Sequence, residues 1–460
     1  MRVTRRAFLA RATLACAAAG AGCSAAGHPR PGPPEIVVER PDDLVDSPWS
    51  IWLRGFPPAS RVEVTATVAG WGRAPWRSWA AFETDSAGEA ALAKATAFAG
   101  SYRGVSPMGL FWSMERQEDE TAGPAMALTG AFPVTLTAGS RGGARAEITL
   151  DRRLASAGVT RRDVQADGVV GTLFTPASPG PHPAVIVLAG SGGGAWLSPA
   201  ALLASRGYAA LALGYFRMPG LPHGLVNIPI EYFEAAITWL RETVRPREDF
   251  IAVIGVSRGG ELALLLAASI PEINAVVAYV PSGVLFGPFG PSEPGDNRPR
   301  AAWTHRGRPL PHLGENNRTV DWSAVDQKRT PIVERSVYLT MLRDRDAVER
   351  SSIPIERTRG PVLLISGKDD DQWPSFDLAQ IAYRRLQGHR HPYPFAHLSY
   401  EGAGHGITFP YTPTTSTSYV HPVNGRTYSL GGHPAMTAGA NADSWPKVLA
   451  FLEDARRQRR

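Results

Sequence analysis

The chain has 460 residues, 43% hydrophobic, 9% aromatic and 20% charged, which is enough for a sizeable core and excludes a disordered chain. Its length suits two or three domains. The formal charge of +6 is concentrated at the ends. Arg2, Arg5, Arg6 and Arg11 at the start and Arg456, Arg457, Arg459 and Arg460 at the finish carry eight positive charges, which leaves the body at −2. A basic groove for nucleic-acid phosphates is not expected from that distribution.

Residues 1–27 read as an export signal. Arg5-Arg6 precedes Phe8-Leu9 and an Ala-rich apolar stretch that is too short to span a bilayer. The paired arginines followed by Phe-Leu resemble a twin-arginine signal. Cys16 and Cys23 are the two cysteines of the chain, so no disulfide or thiolate metal site is expected in the mature body. Gly20-Ala21-Gly22-Cys23 resembles a lipoprotein cleavage box, with Gly20 where that pattern usually has Leu. Ala19-Gly20-Ala21 serves equally as an ordinary cleavage site. The expected location is extracytoplasmic, periplasmic or membrane-anchored through Cys23.

Residues 28–35 form a Pro/Gly linker. From 36 to 150 the pattern is that of strands. Arg61–Val68 alternates with period 2, and Phe132–Leu136 and Ala144–Leu150 repeat the alternation between Gly-rich turns. A small antiparallel β-sandwich is expected there. Residues 151–455 change texture. Continuous apolar runs at Ala184–Ala189, Tyr208–Leu213, Phe250–Ile254 and Val362–Ser366 alternate with helical patterns at Ala201–Ser205, Ile230–Leu240 and Glu261–Ala268. Strands buried on both faces between helices imply a mostly parallel α/β sheet. Residues from about 284 to 350, rich in Pro, Gly, Arg and Trp, read as an insertion capping the site.

Gly255-Val256-Ser257-Arg258-Gly259 fits the G-x-S-x-G nucleophile elbow. The pentapeptide is a weak signal alone, but here it follows a buried strand and precedes a helix. Its glycines permit the tight turn, and the helix start offers backbone donors to an oxyanion. A serine hydroxyl needs a histidine to take its proton and a carboxylate to orient that histidine. In this fold they follow in the order Ser, acid, His. Asp369, Asp370 and Asp371 lie after the last convincing strand, and His405 lies in the glycine loop Gly402-Ala403-Gly404-His405-Gly406. Most other histidines, including His182, His389, His391 and His421, read as surface or capping residues. Backbone N–H groups of Arg258 and of Gly190 or Ser191 are the candidate oxyanion donors. The Gly190–Gly194 run lacks a following G-K-[ST], which argues against nucleotide binding, and metal-ligand spacings such as H-E-x-x-H are missing. No metal and no cofactor are expected.

Several stretches share a family signature. They are Leu53-Arg54-Gly55-Phe56-Pro57-Pro58, Gly100-Ser101-Tyr102-Arg103-Gly104-Val105-Ser106-Pro107-Met108-Gly109-Leu110-Phe111-Trp112-Ser113-Met114, Tyr232-Phe233-Glu234, Gly402-Ala403-Gly404-His405 and Gly432-His433-Pro434. From about residue 36 to 455 the chain resembles the acyl-CoA thioesterases and bile acid-CoA:amino acid N-acyltransferases. The resemblance implies a β-sandwich before an α/β-hydrolase domain, with Ser257 as nucleophile, His405 as base and Asp370 as orienter, Asp369 and Asp371 being fallbacks. It also implies hydrolysis rather than transfer, because the transferring members use cysteine at the nucleophile position. Members act on CoA thioesters inside cells, whereas this chain carries an export signal. The alternatives are therefore an oxyester substrate or transfer to an amine or alcohol acceptor.

Overall fold

The computed structural model describes residues 32–69, 75–117, 130–326 and 328–458. The export-signal reading of residues 1–27, Cys16 and Cys23 included, lies outside the described residues.

The first elements are β1 (Glu35–Glu39), β2 (Ser50–Arg54), β3 (Arg61–Val68), β4 (Trp76–Glu83), β5 (Ala90–Ala91), β6 (Ala99–Gly100), the one-turn helix α1 (Gly109–Trp112), β7 (Glu115–Arg116), β8 (Ala131–Ser140) and β9 (Arg145–Arg153). They build two antiparallel sheets, ordered β1-β2-β5 and β6-β4-β3-β8-β9, with β7 paired to β4. The alternation along β3 sets its register. Val62, Val64, Ala66 and Val68 are buried while Arg61 and Glu63 face solvent, and a slip of one residue would exchange the two sets. Val64 consequently stands opposite Ala80 of β4 and Ala138 of β8.

The chain continues through β10 (Thr160–Ala166), β11 (Val169–Thr175), β12 (Ala184–Leu188), α2 (Leu197–Ser205), β13 (Ala209–Leu213), β14 (Ile228–Pro229), α3 (Ile230–Thr243), β15 (Ile251–Val256), α4 (Arg258–Ser269) and β16 (Ala275–Tyr279). Then come β17 (Trp303–His305), β18 (Arg308–Pro309), α5 (Arg335–Met341), α6 (Arg345–Ser351), β19 (Val362–Gly367), α7 (Ser375–Gly388), β20 (Phe395–Tyr400), β21 (Ser418–Val420), β22 (Thr427–Ser429) and α8 (Pro434–Arg457). An eight-stranded sheet runs β10-β11-β13-β12-β15-β16-β19-β20. β10 and β11 are antiparallel at one edge and the other six strands are parallel. Counted along the chain, the order is 1-2-4-3-5-6-7-8, the α/β-hydrolase sheet.

β12, β13 and β16 are buried at every position, as strands covered by helices on both faces must be. Each fully buried Val, Leu or Ile there contributes about 1.5–3 kcal/mol of transfer free energy. One face of the sheet shares its core with the antiparallel sheets: Val185, Ile254 and Val448 belong to the same cluster as Trp49, Phe111 and Leu136. A second cluster covers the other face, around Phe233, Leu262 and Trp303. Between β16 and β19 a third cluster, including Phe286, Leu313, Val337 and Met341, closes against Trp373 and Tyr428.

Buried and half-buried charges join the N-terminal sheets to the rest. Arg206 donates to Asp42 (3.0 Å) and to both oxygens of Asp46 (2.6 and 3.1 Å), and Trp445 Nε1 donates to Asp46 Oδ2 (2.8 Å). Arg152, 2% exposed, donates to the carbonyls of Val45 and Ser47 on one side and Tyr411 on the other. Its guanidinium lies 4.7 Å from the Phe111 ring centroid, and burial pulls its pKa down to about 9.

Candidate active site

The residues singled out in the sequence gather at the carboxyl ends of neighbouring parallel strands, where open α/β sheets bind ligands. Gly190 follows β12, Ser257 follows β15, Asp370 follows β19 and His405 follows β20. The strand-to-helix turn at Ser257 is tight. Ser257 has φ 57° and ψ −122°, a conformation costly for a non-glycine residue that recurs at functional sites. The flanking glycines make the turn possible. A Cβ on Gly255 would come 1.9 Å from the Gly259 carbonyl oxygen, and one on Gly259 would come 2.2 Å from the Ala189 carbonyl oxygen. Both contacts are with backbone, which has no room to yield.

Ser257 precedes α4, so the Arg258 N–H belongs to the first helical turn and has no intrahelical acceptor. Across from it, a Cβ placed on Gly190 would be 3.2 Å from Ser257 Cβ and 3.7 Å from Oγ. The loop after β12 therefore passes directly beside the serine side chain.

His405 and Asp370 meet. His405 Nδ1 lies 2.8 Å from Asp370 Oδ2, and Asp370 has no solvent exposure. The other carboxyl oxygen accepts the backbone N–H groups of Gln372 (3.0 Å) and Trp373 (3.2 Å). The neighbouring aspartates go elsewhere: Asp369 is exposed, and Asp371 Oδ2 accepts from the Ser429 hydroxyl (2.7 Å). A segment beyond His405 laces the two loops together. Leu430 O accepts from His405 N (2.7 Å) and Asp371 N (3.4 Å), and Gly431 bridges to Asp370.

A cavity of about 380 Å³ opens beside Ser257. Its walls include the rings of Phe286, Phe289, Trp322, Tyr338, Trp373 and Tyr428, together with Arg258, Glu334, His312 and His421. Phe286, His312, Trp322, Glu334 and Tyr338 all come from the stretch read in the sequence as a cap. Behind Ser257, Arg258 Nη2 and Glu261 Oε1 are 3.4 Å apart and both residues are buried. Glu261 also accepts from Trp303 Nε1 (2.8 Å) and Phe286 N (3.2 Å). Burial pushes the Glu261 carboxyl up to about 7, with Arg258 opposing. Among the described residues no group of three or more His, Cys, Asp or Glu is placed to hold a metal ion.

The histidines require a correction. His182, His391 and His421 are buried, not surface or capping residues, and only His389 of the four is exposed, as the C-cap of α7. His421 matters most. It is 2% exposed, lines the cavity with Ser257, and places Nε2 3.0 Å from Ser191 Oγ. No motif surrounds it in the sequence, and its position depends on the β21–β22 hairpin folding back over the loop after β12.

Residues 46–166 match the family model described as "Acyl-CoA thioester hydrolase/BAAT N-terminal region", and residues 228–458 match "BAAT / Acyl-CoA thioester hydrolase C terminal". Mouse acyl-coenzyme A thioesterase 2, mitochondrial, is 31% identical over 418 residues, 88% of this chain and 86% of that protein. The chain belongs to the acyl-CoA thioester hydrolase/BAAT family. Human acyl-coenzyme A thioesterase 1 is 30% identical, with 88% of this chain and 93% of that one covered. Mouse peroxisomal succinyl-coenzyme A thioesterase is 31% identical, with the same coverage. The first region spans β2 to β10, and the second spans the parallel strands β15, β16, β19 and β20, the stretch between β16 and β19, and α8. This member is an enzyme of the hydrolase type.

Proposed function

We propose that the chain hydrolyses acyl thioesters through a Ser257–His405–Asp370 triad. The observation that carries the reading is the buried 2.8 Å bond between His405 Nδ1 and Asp370, on a family scaffold that presents Ser257 at a strained elbow. The carboxylate holds the Nδ1 proton, leaving Nε2 to accept the Ser257 proton. Ser257 Oγ then attacks the acyl carbonyl carbon, and the carbonyl oxygen takes the negative charge. Backbone N–H groups of Arg258 and of Gly190 or Ser191 stabilise that oxyanion. Collapse expels the thiolate, which takes the proton from His405. Water, deprotonated by His405, attacks the acyl carbon; the bond to Ser257 Oγ then breaks, Oγ takes the proton back from His405, and the carboxylic acid leaves. The aromatic cavity beside Ser257 receives the acyl part.

The test is hydrolysis of short, long and dicarboxylic acyl-CoAs beside the matching simple oxyesters, with Ser257→Ala as control. Acyl-CoA turnover that disappears in the variant is the expected result. Turnover of oxyesters alone would move the enzyme to the carboxylesterases, and turnover that survives in Ser257→Ala would overturn the triad. An added amine or alcohol that accelerates thiol release and becomes acylated would indicate a transferase.

We further propose that residues 1–27 direct export, with Cys23 as the site of a lipid anchor. The support is the pairing of Arg5-Arg6 with the apolar stretch and the Gly20–Cys23 box. Full-length protein should fractionate outside the cytoplasm and Arg5→Lys/Arg6→Lys should not. Cys23→Ala should release it from membranes. An exported enzyme would meet a thioester other than free acyl-CoA.

A further inference from the structure

The bonds of His421 fix which of its nitrogens carries the proton. Nδ1 accepts from the Val423 backbone N–H (3.2 Å); a backbone N–H only donates, so Nδ1 presents its lone pair. Burial, aided by the Arg217 charge, pushes this imidazole down to about 4. Near neutral pH the ring is uncharged and its proton sits on Nε2. Nε2 therefore donates to Ser191 Oγ, 3.0 Å away. That engages a Ser191 lone pair and leaves the hydroxyl's own proton to be given elsewhere.

The position of Ser191 decides where that proton can go. It directly follows Gly190, the residue packed against the Ser257 side chain, and Ser191, Ser257 and His421 line one cavity. The surrounding loop is otherwise glycine through Gly194, so Ser191 carries its one side chain. The hairpin clamps that loop again next door, where a Cβ on Gly192 would come 3.2 Å from Pro422. Rings hold His421 itself: Phe289 at 4.9 Å, Tyr419 at 5.7 Å and Tyr428 at 5.8 Å between centroids.

We propose that the Ser191 hydroxyl is a side-chain donor to the oxyanion, added to the backbone N–H groups, and that His421 is the positioning residue that aims it. The inference rests on Ser257 being the nucleophile. A hydrogen bond to a charged oxyanion is roughly twice as strong as one to a neutral oxygen. The gain arises only as charge develops, which is what raises kcat rather than substrate affinity.

The experiment measures kcat and KM for one acyl thioester in Ser191→Ala, Ser191→Thr, His421→Gln, His421→Leu and the Ser191→Ala/His421→Leu double variant. Thermal unfolding of each serves as a control. Removing an oxyanion donor costs about 10²-fold or more in kcat, so Ser191→Ala should lose that much with KM little changed. Ser191→Thr keeps the hydroxyl and should retain most activity. His421→Gln keeps an N–H donor and should be milder than His421→Leu. If His421 acts through Ser191, the double variant is no slower than Ser191→Ala. Multiplying losses, a change confined to KM, or full activity in Ser191→Ala overturns the proposal. Should His421→Leu not fold, the Ser191→Ala and Ser191→Thr pair decides alone. If Ser257→Ala is inactive while Ser191→Ala is not, this inference falls and the thioesterase reading stands. Activity in Ser257→Ala means that the nucleophile assignment itself has failed.

Discussion

Replacing Asp370 by Asn separates the three adjacent aspartates and tests the proposed proton path. In the folded protein Oδ1 accepts two backbone N–H groups, from Gln372 and Trp373, while Oδ2 faces His405 Nδ1. An asparagine must keep its carbonyl oxygen toward the two backbone donors. Turning it over would set its NH₂ against them and leave two buried donors unpaired, at about 1–3 kcal/mol each. With the carbonyl so held, the amide NH₂ confronts His405 Nδ1, which must then accept. The imidazole proton moves to Nε2, where it blocks removal of the Ser257 proton. The wrong tautomer in a serine–histidine–aspartate triad costs about 10⁴ in kcat, or roughly 5.4 kcal/mol of transition-state stabilisation. The assay is steady-state thioester hydrolysis by Asp369→Asn, Asp370→Asn and Asp371→Asn, each checked for an unchanged unfolding midpoint. Asp370→Asn should fall by about four orders of magnitude. Asp369, exposed at the loop surface, should matter little, and Asp371→Asn should show only the modest effect of weakening its bond to Ser429. An Asp370→Asn enzyme with nearly full kcat, or an Asp369→Asn enzyme as impaired, would refute the reasoning.

Other consequences are equally concrete. Gly259→Ala drives a Cβ into two backbone carbonyls, 2.2 Å from Ala189 O and 2.7 Å from Leu188 O; it should cost more than about 4 kcal/mol, seen as insoluble protein or a collapsed unfolding midpoint. Glu261 gives a pH signature. Its folded pKa is raised to about 7 from 4.5, so the folded state binds the extra proton between those values, and this group's contribution is full below the unfolded pKa and lost as pH rises through the folded one. Unfolding midpoints from pH 5 to 8 should decline more steeply in the wild type than in Glu261→Gln, and parallel curves would contradict the assignment. Arg152→Met should destabilise by at least about 2 kcal/mol, because the carbonyls of Val45, Ser47 and Tyr411 lose their donor. Chemical denaturation measures that loss, and an unchanged midpoint would show that the buried guanidinium holds nothing together.

Local features of the chain were legible where one segment's own physics decides its shape. β3 follows from alternation and β12 from a continuous apolar run, and the elbow at Ser257 follows from two glycines around a serine between strand and helix. The β10–β11 hairpin was not foreseen. β10 reads TRRDVQA and buries only Val164, so it carries no apolar pattern and owes its place to pairing with β11. Residues 284–350 read in the sequence as an insertion capping the site, but no local pattern there shows which side chains, Phe286, Phe289 and Tyr338 among them, line the cavity.

By itself the sequence determined the class of protein, the tight turn at Ser257 and the chain order Ser257, Asp370, His405 of the proposed triad, because turn geometry and strand burial act over a few residues. The residues alone left three aspartates open, the family resemblance alone favouring Asp370, and they read His421 as a surface or capping residue. Tertiary structure shows where each of them lies. Asp370 is singled out by two backbone donors and by a histidine 35 residues away, and His421 reaches Ser191 across 230 residues. Those choices depend on which loops the sheet order brings to one edge, and strand order is set by packing among distant segments.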